Sequence, residues 1–183
     1  LLLPNLKSDR MALVHEFEKS GNWLFRRRSW LPVLMVAAGI FVMFTGNRQA
    51  IIYDMRDELI FLAVSLLGQI IRVYTVGFAP KNTSGRNTEI GQLADELNTT
   101  GIYSIVRHPL YVGNFFMWLG PVLFLRSISF AIVFILLYWI YYERIMFAEE
   151  QFLRRKFGEI YDKCSEKVSS FIPWTFNYIP SRL

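Results

Sequence analysis

The chain has 183 residues, of which 53% are hydrophobic, 16% aromatic and 19% charged, whereas an ordinary soluble domain carries about 25% charged residues and is no more than about half apolar. That balance, with a single cysteine, argues against a disordered tail, a disulfide scaffold and a solvated nucleic-acid binder. The net charge of +5 does not point to nucleic acid either, because there is no long basic run and the Lys and Arg residues fall between apolar stretches, as membrane topology would place them.

Residues 8 to 25 carry Met11, Val14, Phe17 and Leu24 at roughly helical spacing among charges, which predicts an amphipathic helix lying on a membrane. With the basic run that follows, residues 1–29 read as an interfacial segment. No cleavable signal peptide is expected, because the first apolar run follows this long polar stretch and no small-residue cleavage site comes after it. Four stretches approach the roughly 20 apolar residues that a transmembrane helix needs. Trp30 to Thr45 is short but flanked by Arg26, Arg27, Arg28 and Arg48, and Leu59 to Phe78 holds Gln69 and Arg72 within it. Tyr111 to Leu125 and Ile128 to Tyr142 are separated only by Arg126 and Ser127, the pattern of a tight helical hairpin. Between spans two and three, the polar stretch from Lys81 to Thr100 predicts a loop with a short helix around Ile90 to Leu97. After span four, Glu149 to Lys167 reads as a charged helix broken at Gly158, and Phe171-Ile172-Pro173-Trp174 returns to the interface. The expected fold is all-α: one domain over 1–183, an integral membrane bundle of about four transmembrane helices with an N-terminal interfacial amphipathic helix and a C-terminal cytoplasmic helix.

The orientation follows from the basic residues, which favour the cytoplasm. With the N-terminus inside, 16 Lys and Arg fall on inner segments, and only Arg48, Arg56 and Arg126 fall outside. Both termini are therefore expected in the cytoplasm. Polar residues concentrate at the same ends of the spans, in Gln69 with Arg72, in Gly101 to Tyr111 and in Glu143 to Glu150, and ionisable groups at membrane depth are functional candidates by default.

Pro109 suits the first turn of a helix, so span three should begin there, with Arg107 and His108 at the positive end of its dipole, a place suited to an anion. An ordinary interfacial arginine and a capping histidine would leave the same pattern. Glu149 and Glu150, adjacent on a helix, cannot point the same way. One should face inward, where it could meet a cation, unless the pair is a solvated cap. Cys164 reads as a free thiol without a role, and no metal site is expected. Gly113 and Gly120, seven apart, permit a close helix approach, within the chain or between two chains.

Arg107-His108-Pro109-Leu110-Tyr111-Val112-Gly113, then Glu149-Glu150-Gln151-Phe152-Leu153, Phe157-Gly158-Glu159-Ile160-Tyr161 and the closing Phe171-Ile172-Pro173 resemble the C-terminal half of the isoprenylcysteine carboxyl methyltransferase family and its phospholipid methyltransferase relatives. Gly68, Arg72 and Gly77 resemble the family's second-span pattern, and Leu97 to Tyr103 the loop that leads into Arg-His-Pro. The likeness covers roughly residues 65 to 175. It implies an integral membrane enzyme that uses S-adenosylmethionine on the cytoplasmic side to methylate a hydrophobic acceptor entering from the bilayer. Carried over by position, Asp95, Glu96, Leu97, Asn98, Tyr103, His108, Pro109, Leu110, Tyr111 and Glu149 would contact the cofactor, and Gln69 or Arg72 would line the pocket. Arg144 would be the substrate-side arginine, although it stands five residues before Glu149 where the family pattern has four. Arg107 or the nearby helix N-terminus suits the cofactor's carboxylate, and Glu149 with the aromatic faces of Tyr103 and Tyr111 suits its sulfonium.

An ionised carboxylate or phosphate acceptor needs no base, which favours O-methylation over transfer to a phospholipid amine. The closing motifs also resemble those of NADPH-dependent sterol reductases, and a membrane scaffold without catalysis is a third reading. The sequence does not name the acceptor or the oligomeric state.

Overall fold

The computed structural model describes residues 3–45, 54–79, 92, 94–173 and 178–180, with the backbone alone for 3–11, 31 and 32. Among them are six α-helices: α1 (Leu3–Arg26), α2 (Trp30–Thr45), α3 (Met55–Phe78), α4 (Pro109–Phe124), α5 (Ile128–Phe157) and α6 (Glu159–Ser165), with a 3-10 turn at Ile102–Ser104. The described residues form no strand beyond two isolated bridges, Gly101 with Ile179 and Val106 with Ser169.

Local chemistry explains the helix ends. The Asp54 side chain accepts from the backbone N–H of Arg56 at 3.1 Å to start α3, and Asp57 and Glu58 in its first turn suit the helix dipole. Pro109 opens α4 at the first position, and the Ser127 hydroxyl accepts from Phe130 N to open α5. At Gly158 φ is 55°, a conformation that side chains resist, and the chain turns there from α5 into α6.

Two expected elements differ. The span ending at Tyr142 and the charged helix starting at Glu149 are one unbroken helix of 30 residues, because residues 143–148 contain no breaker: falling hydropathy marks a change of surroundings, not a helix end. The helix expected over Ile90 to Leu97 lies partly outside the described residues, and those described, 92 and 94–97, are not helical.

α3 runs against α4 and α1 against α5. The first pair meets through glycine. A Cβ on Gly68 would stand 2.3 Å from Met117 N, one on Gly113 2.9 Å from Gly68 O, and one on Gly120 2.0 Å from Ser65 Oγ. The small residues of α4 thus make an approach within the chain, as helices do where side-chain burial gains little. A core of Phe25, Tyr111, Val122, Phe134, Tyr138, Tyr142, Ile145 and Met146 joins α1, α4 and α5. α3 and α5 are long and apolar enough to cross a bilayer, while 33–45 of α2 and Pro109–Phe124 are shorter apolar helices. Only 11% of the apolar window of α3 and 28% of that of α5 are buried within the chain. Large apolar side chains such as Leu62, Ile70, Ile132 and Leu136 therefore face outward, an arrangement that suits lipid better than water.

Candidate functional site

The polar residues gather where α4 begins and α5 leaves its apolar stretch. His108, buried, precedes α4, and the backbone N–H groups of Arg107 and His108 donate to the carbonyls of Ser169 and Ser170 at 2.9 and 3.1 Å. This pins the start of α4 to the segment that follows α6. The imidazole then lies between the two glutamates of α5, with Nδ1 3.3 Å from Glu149 Oε2 and Nε2 3.2 Å from Glu150 Oε1. Burial pushes the His108 pKa down, but the hydrogen bonds and charges of Glu149 and Glu150 outweigh it and raise it to about 9. Glu150 lies beyond the apolar part of α5; burial raises its pKa, and the His108 and Arg107 contacts reverse this and lower it to about 2.

Arg107 is committed to structure on every side. Its Nε and one terminal nitrogen donate to Glu150 Oε1 at 3.1 and 2.7 Å, and the other donates to the carbonyls of Ser165 and Val168 at 2.6 and 2.7 Å. Glu150, the second carboxylate of the pair, is a partner in this network and not a solvated cap. Glu149 accepts from the Tyr111 hydroxyl at 2.9 Å, and the Tyr138 hydroxyl donates to Tyr111 O at 2.6 Å.

Beside this network opens a pocket of about 940 Å³ of empty space, mouth included. Ten of the residues singled out from the sequence line it: Glu96, Leu97, Asn98 and Tyr103 from the loop, Arg107, His108, Pro109, Leu110 and Tyr111 at the start of α4, and Glu149 from α5. Burial and the charge of Glu149, against a hydrogen bond with Asn98, push the Tyr103 phenol up to about 12. The other four lie elsewhere. Asp95 is exposed and outside the wall. Gln69 is exposed on α3, and Arg72 hydrogen-bonds Asn114 across the α3–α4 contact. Arg144 holds its guanidinium 3.4 Å from the ring centroid of Phe17 on α1. Five residues turn a helix by about 500°, so Arg144 sits about 140° round α5 from Glu149, toward α1.

The pocket also has walls that the sequence did not single out. Phe25 and Arg28, at and just beyond the end of α1, close one side, Phe152 and Leu153 of α5 another, and Tyr161 and Cys164 of α6 a third. Phe152 and Leu153 follow Glu149 by three and four residues, the spacing of one helix face, which was a readable signal. Phe25 and Arg28 left none, because their place depends on α1 packing along α5. There Gly21 permits contact: a Cβ on it would stand 2.1 Å from Arg144 O. Among the described residues no group of three or more His, Cys, Asp or Glu could hold a metal ion.

Bilayer-length apolar helices, with a pocket walled by helix ends and loops at their polar end, are the features of an integral membrane helical protein. The family model described as phospholipid methyltransferase matches residues 58–160, more than half of the chain, from the first turn of α3 into α6. The chain belongs to the phospholipid methyltransferase family. It is 30% identical over 150 residues to the probable protein-S-isoprenylcysteine O-methyltransferase of Oryza sativa subsp. japonica, covering 76% of this chain and 75% of that protein. It is 41% identical over 78 residues to the protein-S-isoprenylcysteine O-methyltransferase of Schizosaccharomyces pombe, covering 42% of this chain and 33% of that one. A third relative, the nickel-cobalt-cadmium resistance protein NccN of Alcaligenes xylosoxydans xylosoxydans, is 30% identical over 154 residues, 83% of this chain and 67% of the relative. The chain thus spans from a third to three quarters of the length of these relatives.

Proposed function

We propose that this chain is an integral membrane S-adenosylmethionine-dependent methyltransferase acting on a lipid-like or prenylated acceptor, and that the methyl group goes to oxygen, on a carboxylate or a phosphate. The observation that carries this reading is Glu149, fixed by Tyr111 and His108 in the wall of a pocket at the foot of bilayer-length helices.

The wall chemistry fits the cofactor. A carboxylate flanked by the rings of Tyr103 and Tyr111 suits a sulfonium. Glu96 and Asn98 offer groups for sugar hydroxyls, and Leu97, Phe152 and Leu153 an apolar surface for a base. Arg107, held by Glu150 and two carbonyls, and Arg28, stacked over Phe25, are the two arginines of the wall whose charge suits the cofactor's carboxylate. When bound, S-adenosylmethionine supplies the methyl group to be transferred. The chain's own part is to orient and to exclude water: Tyr111 and His108 hold the Glu149 carboxylate in the pocket wall, and Phe25, Phe152 and Leu153 line the pocket with apolar surface. Orientation alone can contribute roughly 7–11 kcal/mol to such a displacement.

His108 supports oxygen as the acceptor atom. Held protonated between two glutamates, it cannot take a proton from an ammonium group, whereas a carboxylate or phosphate arrives already ionised. Transfer to a phospholipid amine is the second reading, favoured by the family's own description. The Lys and Arg asymmetry supports α2 to α5 crossing the bilayer with the pocket and both termini cytoplasmic, and tags at both ends should be accessible from that side. Calorimetric titration of detergent-purified protein with S-adenosylhomocysteine and, separately, NADPH tests the assignment. Binding of S-adenosylhomocysteine alone is expected; binding of NADPH alone, or of neither, overturns it.

A further inference from the structure

The polar groups of the pocket wall differ in how they are satisfied. Around Glu149 the Tyr111 hydroxyl, both nitrogens of His108 and the guanidinium of Arg107 all have partners. Tyr161 of α6, within reach of the charges of Glu150 and Arg107, is different. It is 3% exposed and lines the pocket, yet its hydroxyl has no hydrogen-bond partner among the described residues. Buried tyrosine hydroxyls ordinarily find a partner, and one that does not calls for a specific explanation.

Neither the placement nor the chemistry of this group is loose. α6 is held at its far end by Arg107, which donates to Ser165 O and Val168 O, and along its length by Arg154, which donates to Asp162 at 2.8 Å. The neighbouring wall residues Cys164, one turn further on, and Phe152 and Leu153 offer little competition for a hydrogen bond. Burial, and then the charge of Glu150, push the Tyr161 phenol up, so it stays a neutral donor through the working pH range.

We propose that Tyr161 is a binding residue of this pocket whose hydroxyl donates a hydrogen bond to an acceptor atom of S-adenosylmethionine; the assignment rests on the methyltransferase reading above. It makes α6 a wall of the cofactor site, so Arg107 serves binding by holding that wall in place and not by touching the ligand. A single buried donor orients a ligand more than it tightens it, because water competes for the same bond in the unbound state.

Tyr161→Phe tests this, since it removes one oxygen and keeps the ring. In calorimetric titration of the detergent-purified full chain, the variant should bind S-adenosylhomocysteine about three- to tenfold more weakly than the wild type, the loss of one ordinary hydrogen bond. Without ligand its thermal unfolding midpoint should equal or exceed that of the wild type, because the hydroxyl makes no bond among the described residues, and the rise caused by S-adenosylhomocysteine should shrink. A variant with unchanged affinity overturns the proposal, as does one destabilised without ligand but unchanged in binding, which is the signature of a structural hydroxyl. If the wild type itself does not bind S-adenosylhomocysteine, the methyltransferase reading falls and this assignment with it; if the wild type binds and the variant binds equally, only the role of Tyr161 falls.

Discussion

The apolar and polar ends of this bundle are held together by different physics. Along the apolar lengths of α3, α4 and α5, contact is made by backbones brought close at Gly68, Gly113 and Gly120 and by rings such as Phe115 of α4 on Tyr138 of α5, 5.2 Å between centroids. The outer faces are left bare. At the pocket end one network, Arg107 with Glu150, His108 and Glu149, ties the start of α4, the end of α5 and the segment after α6 to one another. An apolar interface loses stability when a residue grows. A paired charge network loses it when a residue is removed, because the partner stays behind unpaired in a low dielectric.

The largest effect expected from this contrast is at the pocket end. Glu149→Ala should abolish S-adenosylmethionine binding, a loss of at least about 100-fold in a calorimetric titration, with the helical fold retained by circular dichroism; wild-type affinity for this cationic ligand would remove Glu149 from the site. At the apolar end the damaging change is the opposite one, an added methyl. Gly68→Ala puts a carbon 2.3 Å from the backbone of Met117 and should cost about 1–3 kcal/mol of stability in detergent, read as a lowered unfolding midpoint. If that midpoint holds, α3 and α4 are not packed through this glycine. Smaller still, His108→Ala and Tyr111→Phe should each weaken S-adenosylmethionine binding about tenfold or less, since each leaves Glu149 with one partner fewer.

The network also predicts a pH window. The folded pKa of His108 is raised from 6.5 to about 9, so its stabilising contribution is complete below 6.5 and lost as pH rises through about 9. That of Glu150 is lowered from 4.5 to about 2, so its contribution is complete above 4.5 and lost as pH falls toward 2. The unfolding midpoint should therefore be highest between about 4.5 and 6.5 and decline toward 9. His108→Ala should lack the alkaline decline, and a wild-type midpoint that stays flat from pH 6 to 10 would break the proposed pairing.

Legibility followed the same divide. Helix positions were readable because they depend on local chemistry: Trp30 to Thr45 came out with both ends in place, and Pro109 and Gly158 marked a start and a break through the backbone itself. What could not be read was which helices pair. Arg144 and Arg72 are polar residues in apolar surroundings and look alike in a sequence, yet one faces Phe17 of α1 and the other Asn114 of α4. The α1 wall of the pocket, Phe25 and Arg28, depends on the same pairing. Likewise Glu149 and Glu150 are equivalent in sequence. Only the arrival of Arg107 from α4 divides them, one against the pocket and one into the network.

The smallest effect is the sharpest test of what surrounds the apolar end. Along α5, Phe134, Tyr138 and Tyr142 are buried at intervals of four, while Ile132, Leu136 and Ile140 recur at the same interval two residues out of step. Two residues are about 200° of helix, so the second row occupies the opposite face. Ile132 is 53% exposed. If that face meets lipid, cutting Ile132 back to alanine exchanges one apolar contact for another and opens no cavity. Ile132→Ala should then change the unfolding midpoint in detergent by the equivalent of no more than about 0.5 kcal/mol and leave S-adenosylhomocysteine affinity as it is. A loss as large as that of Gly68→Ala would mean that this face is covered by protein, either a second copy of the chain or a segment outside the described residues, and the difference between the two ends would lie in what covers them.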